Sequence, residues 1–277
     1  MAPKLDGRAA GARRLKDKVC VVTGAGQGIG RAAAKRLGQE GAKVVVADRI
    51  DATATEALTE LRDYGVDATK AIVDLSAFAG AQNLMSQTLD AYGRIDVLVN
   101  NVGGTIWMKP YHLYTEEEVA LEIERSLFPT LWGCLAVLPI MMAQKSGSIV
   151  NLGSLAVRGL YRVPYAASKG GIHALGKVLS MEYGRYGIRV NTVSPGGTYI
   201  ADRVTPRLLI RPGFVADEGA KEEAENYRRE MMEDSQNQQA LRRRGLPEEQ
   251  AAAIAFLASD DASFITGEVI NCSGGQS

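Results

Sequence analysis

Tyr165 and Lys169 stand four apart in the run YAASK. On a helix that interval puts a phenol and an ammonium on one face, one turn from each other. A cation beside a phenol stabilises the phenolate, so Tyr165 has the chemistry of a general base near neutral pH. Ser154 lies eleven residues earlier, just past an apolar run, where its hydroxyl can hydrogen-bond the oxygen that gives up its proton. These side chains suit the oxidation of an alcohol, provided a hydride acceptor is held beside them.

A second group of residues fits such an acceptor. The apolar run VCVVT at 19–23 leads straight into GAGQGIG, with Gly24, Gly28 and Gly30 and, in the same turn, Gln27 and Ile29. Glycines there let the backbone approach a pyrophosphate at a helix N-terminus, where unpaired N–H groups and the helix dipole favour negative charge. Asp48 follows Gly28 by twenty residues and ends the second apolar run. A carboxylate at that point accepts both ribose hydroxyls of an adenine nucleotide and repels a 2′-phosphate, so NAD is expected rather than NADP. Arg49, beside it, works against that preference. Asp74 and Leu75 after the third run, and Asn101, Val102 and Gly103 after the fourth, are expected to line the adenine side and the crevice floor.

The elements that must position these residues read as strands alternating with helices. Apolar runs at 19–23, 44–48, 69–74, 96–100, 148–152, 189–194 and 268–272 have the continuous Val/Ile/Leu character of strands buried on both faces, and helical patterns lie between them. The expected fold is α/β, a single Rossmann-type doubly wound parallel sheet of about seven strands with helices on both faces. From about Thr198 to Arg244 the pattern fails, and an insertion of that size suggests a lid, with opposite charges at helical spacing in EEAENYRREMM. RSLFPTLWG at 125–133 is unusual, because it places Pro129 inside an expected helix over 116–143. Either that helix kinks and opens room in the crevice, or neighbouring helices cover the break.

Composition narrows the partners. The chain has 277 residues, 46% hydrophobic, enough for one large α/β domain over 17–277. Residues 1–16 are basic and read as a disordered arm. Lys plus Arg equals Asp plus Glu at 32 each, which argues against nucleic acid or a membrane surface as a partner. No run of roughly 20 apolar residues is evident. Cys20, Cys134 and Cys272 are far apart and odd in number, fitting reduced thiols in a cytoplasmic protein. His112 and His173 stand apart from other ligand types, so no metal is expected.

Taken together, GAGQGIG, NNVG, IVNLGS, YAASK and RVNTVSPGG resemble the short-chain dehydrogenase/reductase family over essentially Lys16 to Gly275. The resemblance implies that Ser154, Tyr165 and Lys169 are the catalytic trio, that Pro195, Gly196 and Thr198 hold the nicotinamide amide, and that the protein is a homotetramer. Two departures stand out. The interval from Ser154 to Tyr165 is shorter than the family's usual one, and Ser126 falls where the family carries a helical Asn that routes protons from the Lys towards water. RSLFPTLWG, GTIWMKPY, VRGLYRVPY and ITGEVI are further similar to cis-dihydrodiol dehydrogenases that act on ring-hydroxylated benzoates. That narrower likeness implies oxidation of an aromatic-acid cis-dihydrodiol, with loss of carbon dioxide, to a catechol. Such a substrate requires a cation. Arg158 and Arg162 are the first candidates and Arg203 and Arg207 the second, all of them surface or interface residues on the other reading. Trp107 either packs on the diene ring or is a plain core aromatic. A ring alcohol without a carboxylate, or a dinucleotide-sensing protein without catalysis, are the competing functions.

Overall fold

A computed structural model describes residues 13–200, 225–227, 229–231, 233–234 and 237–276. Seven parallel strands form one sheet in the order β3-β2-β1-β4-β5-β6-β7. They are β1 (Val19–Thr23), β2 (Lys43–Asp48), β3 (Ala68–Ile72), β4 (Val97–Asn100), β5 (Gly147–Leu152), β6 (Ile188–Pro195) and β7 (Val269–Cys272). The strand order reverses between β1 and β4, which pair with Cys20 opposite Val97 and Val22 opposite Val99. A crevice opens at the carboxyl ends of the strands at such a point.

Both faces of the sheet are covered at its centre, which is why β1, β2 and β4 read as nearly unbroken buried apolar runs. Alternate residues of β1, β2, β4 and β5 serve different cores. Cys20, Val22, Val44, Val46, Val97, Val99 and Val150 face one that holds Leu37 of α1 (Gly28–Gln39), Leu61 of α2 (Asp51–Asp63) and Ile254 of α7 (Pro247–Ala258). Val21, Val45, Leu98 and Ile149 face the other, with Leu84 of α3 (Phe78–Tyr92), Met141 of α5 (Phe128–Gln144) and Leu179 of α6 (Val163–Tyr183).

The expected single helix over 116–143 is two helices, α4 (Glu116–Ser126) and α5. Leu127 joins them: its N–H donates to the Ile123 carbonyl at 2.9 Å, and its carbonyl accepts from Leu131 N–H at 3.1 Å. Pro129 therefore sits in the first turn of α5, where a missing N–H costs nothing. The proline inside a helix is Pro139. By length and composition Glu116–Gln144 could cross a membrane. Here, however, Val137 and Met141 are fully buried against the sheet.

Residues 13–16, expected within the arm, are packed onto the fold, and residues 1–12 lie outside the described residues. Leu15 is fully buried, and Arg14 pairs with Glu40 at 2.6 Å and Asp261 at 3.1 Å. Of the insertion's described residues, 225–227, 229–231, 233–234 and 237–238 are helical. Its base is closed by Tyr199 N–H donating to the Gly245 carbonyl at 2.8 Å and Gly245 N–H to that of Gly197 at 2.9 Å.

Candidate active site

The crevice is a cavity of about 440 Å³ that brings both residue groups together. At one end the turn from β1 to α1 uses left-handed backbone at Gly24 (φ 61°) and Gly28 (φ 58°). A Cβ at Gly30 would collide with the Gly24 carbonyl oxygen and the Asn101 amide, so the turn closes only on glycine. Asp48, at the end of β2, accepts from Gly26 N–H at 2.9 Å and Ile50 N–H at 3.1 Å, which fixes its carboxylate on the rim and leaves acceptor capacity for hydroxyls. Gln27, Ile29, Arg49, Asp74, Leu75, Val102, Gly103, Pro195, Gly196 and Thr198 line the same cavity. Asn101 lines it too, but its amide is spent on the turn, donating to the Thr23 carbonyl at 3.0 Å and the Gly24 carbonyl at 3.1 Å. A rigid, glycine-rich turn at a helix N-terminus beside a fixed carboxylate fits a dinucleotide.

At the other end stand Ser154, Tyr165 and Lys169. Ser154 follows β5 and its Oγ accepts from Ala156 N–H at 3.0 Å. Tyr165 and Lys169 lie on α6, with the Lys169 ammonium 5.8 Å from the Tyr165 ring centroid. Lys169 Nζ donates to the Leu152 carbonyl at 2.7 Å, and burial pulls its pKa down to about 8. The ammonium is thus anchored but weakly solvated, so an adjacent negative charge would be strongly favoured.

Ser126 is fully buried and lies outside the cavity wall. Its Oγ accepts from Gly104 N–H at 3.4 Å. A Cβ at Gly103 would stand 3.3 Å from Lys169 Nζ and 3.4 Å from Ser126 Cα, so Gly103 separates the two. The hydroxyl therefore supports the 103–104 backbone rather than the lysine. Pro129 lines the cavity directly.

Of the candidate cations, Arg162 reaches the cavity and Arg158 does not, being exposed at the surface. Arg203 and Arg207 lie outside the described residues. Arg162 precedes α6, and its guanidinium folds back over Gly159, where a Cβ would come within 2.6 Å of a terminal nitrogen. Its Nε is buried with no hydrogen-bond partner among the described residues, and burial lowers its pKa against the opposing pull of Tyr165 and Tyr114. Trp107 is likewise off the wall, which Thr105 and Met108 supply.

The reason is Glu122, a fully buried residue of α4 that the sequence analysis did not single out. Its Oε1 accepts from Ile106 N–H at 2.6 Å, Trp107 N–H at 3.0 Å and the Thr105 hydroxyl at 3.2 Å. That grip fixes the loop and turns Thr105 and Met108 inwards. Glu118, Glu122 and Ser126, at successive intervals of four, are all buried on α4, and that spacing was the available signal. Arg125 and Met231 also line the cavity and were not anticipated.

Comparison with known proteins agrees with this geometry. A family model described as short chain dehydrogenase matches residues 18–206, and one described as Enoyl-(Acyl carrier protein) reductase matches residues 208–277. The chain is 45% identical to a 1,6-dihydroxycyclohexa-2,4-diene-1-carboxylate dehydrogenase of Acinetobacter baylyi, over 95% of this chain and 97% of that one. It is 42% identical to the protein of the same name from Pseudomonas putida, over 95% and 94%. The crystal structure of gox2181 superposes with a TM-score of 0.82 at 29% identity, covering 95% of this chain and 97% of that chain.

Proposed function

We propose, for a chain that belongs to the short-chain dehydrogenase family and is therefore an oxidoreductase, the NAD-dependent oxidation of a ring cis-dihydrodiol that carries a carboxylate. The observation that carries this reading is Arg162, a guanidinium in the catalytic cavity whose Nε is buried and has no hydrogen-bond partner among the described residues. A guanidinium grips a carboxylate through two parallel bonds, and a buried cation without an anion is costly until a ligand supplies one. The relatives from Acinetobacter baylyi and Pseudomonas putida are named for such an acid.

A bound nicotinamide dinucleotide supplies the hydride acceptor. The substrate's secondary hydroxyl lies between Ser154 and Tyr165; Ser154 holds its oxygen, the Lys169 ammonium stabilises Tyr165 as the phenolate, and that phenolate takes the proton to become a neutral phenol. Arg162 holds the carboxylate and so selects which hydroxyl faces Tyr165. Oxidation leaves a ketone next to the carbon bearing the carboxylate. The carbon–carboxylate bond then breaks, its electrons pass to the enolate, and carbon dioxide departs. The enolate gains a proton, equal to the one Tyr165 removed, to give a catechol. Aromatisation drives this step, so no residue is assigned to it.

The test is NADH absorbance on mixing the protein with NAD and 1,6-dihydroxycyclohexa-2,4-diene-1-carboxylate, with carbon dioxide and catechol assayed in the same tube. Equal yields of all three are expected. NADH without carbon dioxide would remove the decarboxylation, and turnover of neutral ring diols alone would remove the acid. Asp48 supports NAD over NADP; Asp48→Ala should narrow the kcat/KM preference for NAD by about tenfold or more. Assembly as a homotetramer is supported by exposed Leu135, Val178, Met181 and Phe264, and predicts a solution mass four times the chain's 29.7 kDa.

A further inference from the structure

The backbone immediately before Arg162 is unusual. Tyr161 is left-handed at φ 61°, a region that side chains other than glycine, Asn and Asp rarely occupy. Arg162 follows at φ −149°, ψ 47°, outside the regular wells, before α6 begins. Such a conformation persists when its surroundings over-determine it. Tyr161 is held at both its ends. Its carbonyl accepts from Lys109 N–H at 2.8 Å and from the Tyr114 hydroxyl at 3.4 Å, both in the segment that Glu118 and Glu122 brace. Its ring packs on Tyr227 with centroids 4.9 Å apart, and its hydroxyl donates to Glu230 at 2.9 Å. Met231, next to Glu230, is 7% exposed and lines the catalytic cavity.

The side chain of Arg162 is constrained in its turn. Its guanidinium lies over Gly159, where an added Cβ would fall 2.6 Å from one terminal nitrogen, 2.9 Å from Nε and 3.2 Å from Cζ. Gly159 has ordinary extended backbone at φ −96°, ψ 154°, so its lack of a side chain serves space rather than conformation.

We propose that Gly159 and Tyr161 are positioning residues that aim Arg162 at the substrate carboxylate, and that Tyr161 ties that aim to the helical residues 225–227 and 229–231. The proposal rests on the carboxylate reading of Arg162. Gly159 leaves the place in which the guanidinium lies. Tyr161 sets the turn that delivers it there, and holds the turn only while its ring and hydroxyl are engaged by Tyr227 and Glu230. Seating of that helix, with Met231 against the cavity, and readiness of the carboxylate grip are therefore one event. An acidic substrate completes the site, whereas a neutral ring alcohol gains nothing from the coupling.

The experiment measures the ratio of kcat/KM for 1,6-dihydroxycyclohexa-2,4-diene-1-carboxylate to that for the same ring diol without its carboxylate. It uses the full-length protein with NAD, and its variants are Arg162→Ala, Gly159→Ala, Tyr161→Phe and Tyr161→Phe combined with Arg162→Ala. Gly159→Ala should lower the ratio by about tenfold and Tyr161→Phe by about threefold or more, both through KM for the acid. Because Tyr161 acts through Arg162, Tyr161→Phe should not change the ratio further once Arg162 is alanine. If Gly159→Ala fails to fold, Tyr161→Phe and the double variant decide. Arg162→Ala collapsing the ratio while Gly159→Ala and Tyr161→Phe leave it intact would overturn this proposal alone. A Tyr161→Phe effect that persists in the Arg162→Ala background would overturn it as well. An unchanged ratio in Arg162→Ala would overturn the carboxylate reading and this proposal with it.

Discussion

Lys169 does its work where water is scarce, and the same burial that makes its ammonium effective costs stability. Its pKa is pulled from 10.5 to about 8 by burial, so the fold favours the uncharged amine relative to the unfolded chain. Between those two values the unfolded state binds more protons, and stability from this group rises as pH rises from 8 towards 10.5. Lys169→Met should therefore abolish turnover yet raise stability at pH 7 by about 1–3 kcal/mol, the lost bond to the Leu152 carbonyl reducing the gain. Thermal melts at neutral pH and near pH 10 should show that advantage shrinking with pH; a variant less stable at pH 7 would sink the argument. Tyr165, Lys169 and Ser154 were legible in the sequence because their relation is a spacing along consecutive elements. Choosing Arg162 over Arg158 was not, because it depends on the left-handed backbone of Tyr161, a residue type that does not announce it. Ser126 was located correctly on α4, but its partner, Gly104 N–H, belongs to a loop whose path no periodicity encodes.

Helix α4 shows how an element shapes a site without contributing to the chemistry. Thr115 and Glu118 form a capping box that starts it, with Thr115 N–H donating to Glu118 at 2.9 Å. Starting there puts Glu122 under the loop that follows β4. The seven strands and the two cores could be read from apolar runs, since burial on both faces leaves a plain signature. The division at Leu127 could not, because Pro129 is compatible with either a kinked helix or a fresh start, and the Leu127 backbone decides between them. Glu122→Ala would leave the Ile106 and Trp107 N–H groups without an acceptor, at a cost of about 2–4 kcal/mol, while the Thr105 hydroxyl keeps the Trp107 carbonyl at 3.0 Å. Glu122→Gln keeps an amide oxygen for them and should lose far less. Urea unfolding of both variants checks this, and equal losses would mean that the negative charge, rather than the acceptor, holds the loop.

At the scale of the whole molecule, the catalytic cavity draws on segments from Gly24 to Gln276, so its geometry depends on how well distant parts of the chain are held together. One such tie lies away from the cavity. Glu40, 3% exposed in its side chain, accepts from Arg14 at 2.6 and 2.7 Å and from Arg36 at 2.6 Å. Arg14 also reaches Asp261, so the first described residues, the turn after α1 and the segment after α7 meet at one carboxylate. Both arginines are partly exposed, at 21% and 26%, which weakens each pair through solvent screening. The carboxylate itself is buried, however, and removing its charge leaves two converging cations facing a neutral group. Glu40→Gln should accordingly cost about 2 kcal/mol, below the range for a fully buried pair. It should do so without altering substrate preference, since Glu40 does not line the cavity. A lower urea midpoint with an unchanged slope and an unchanged acid-to-neutral ratio is the expected result. A change in that ratio would mean that the tie reaches the catalytic end through the sheet.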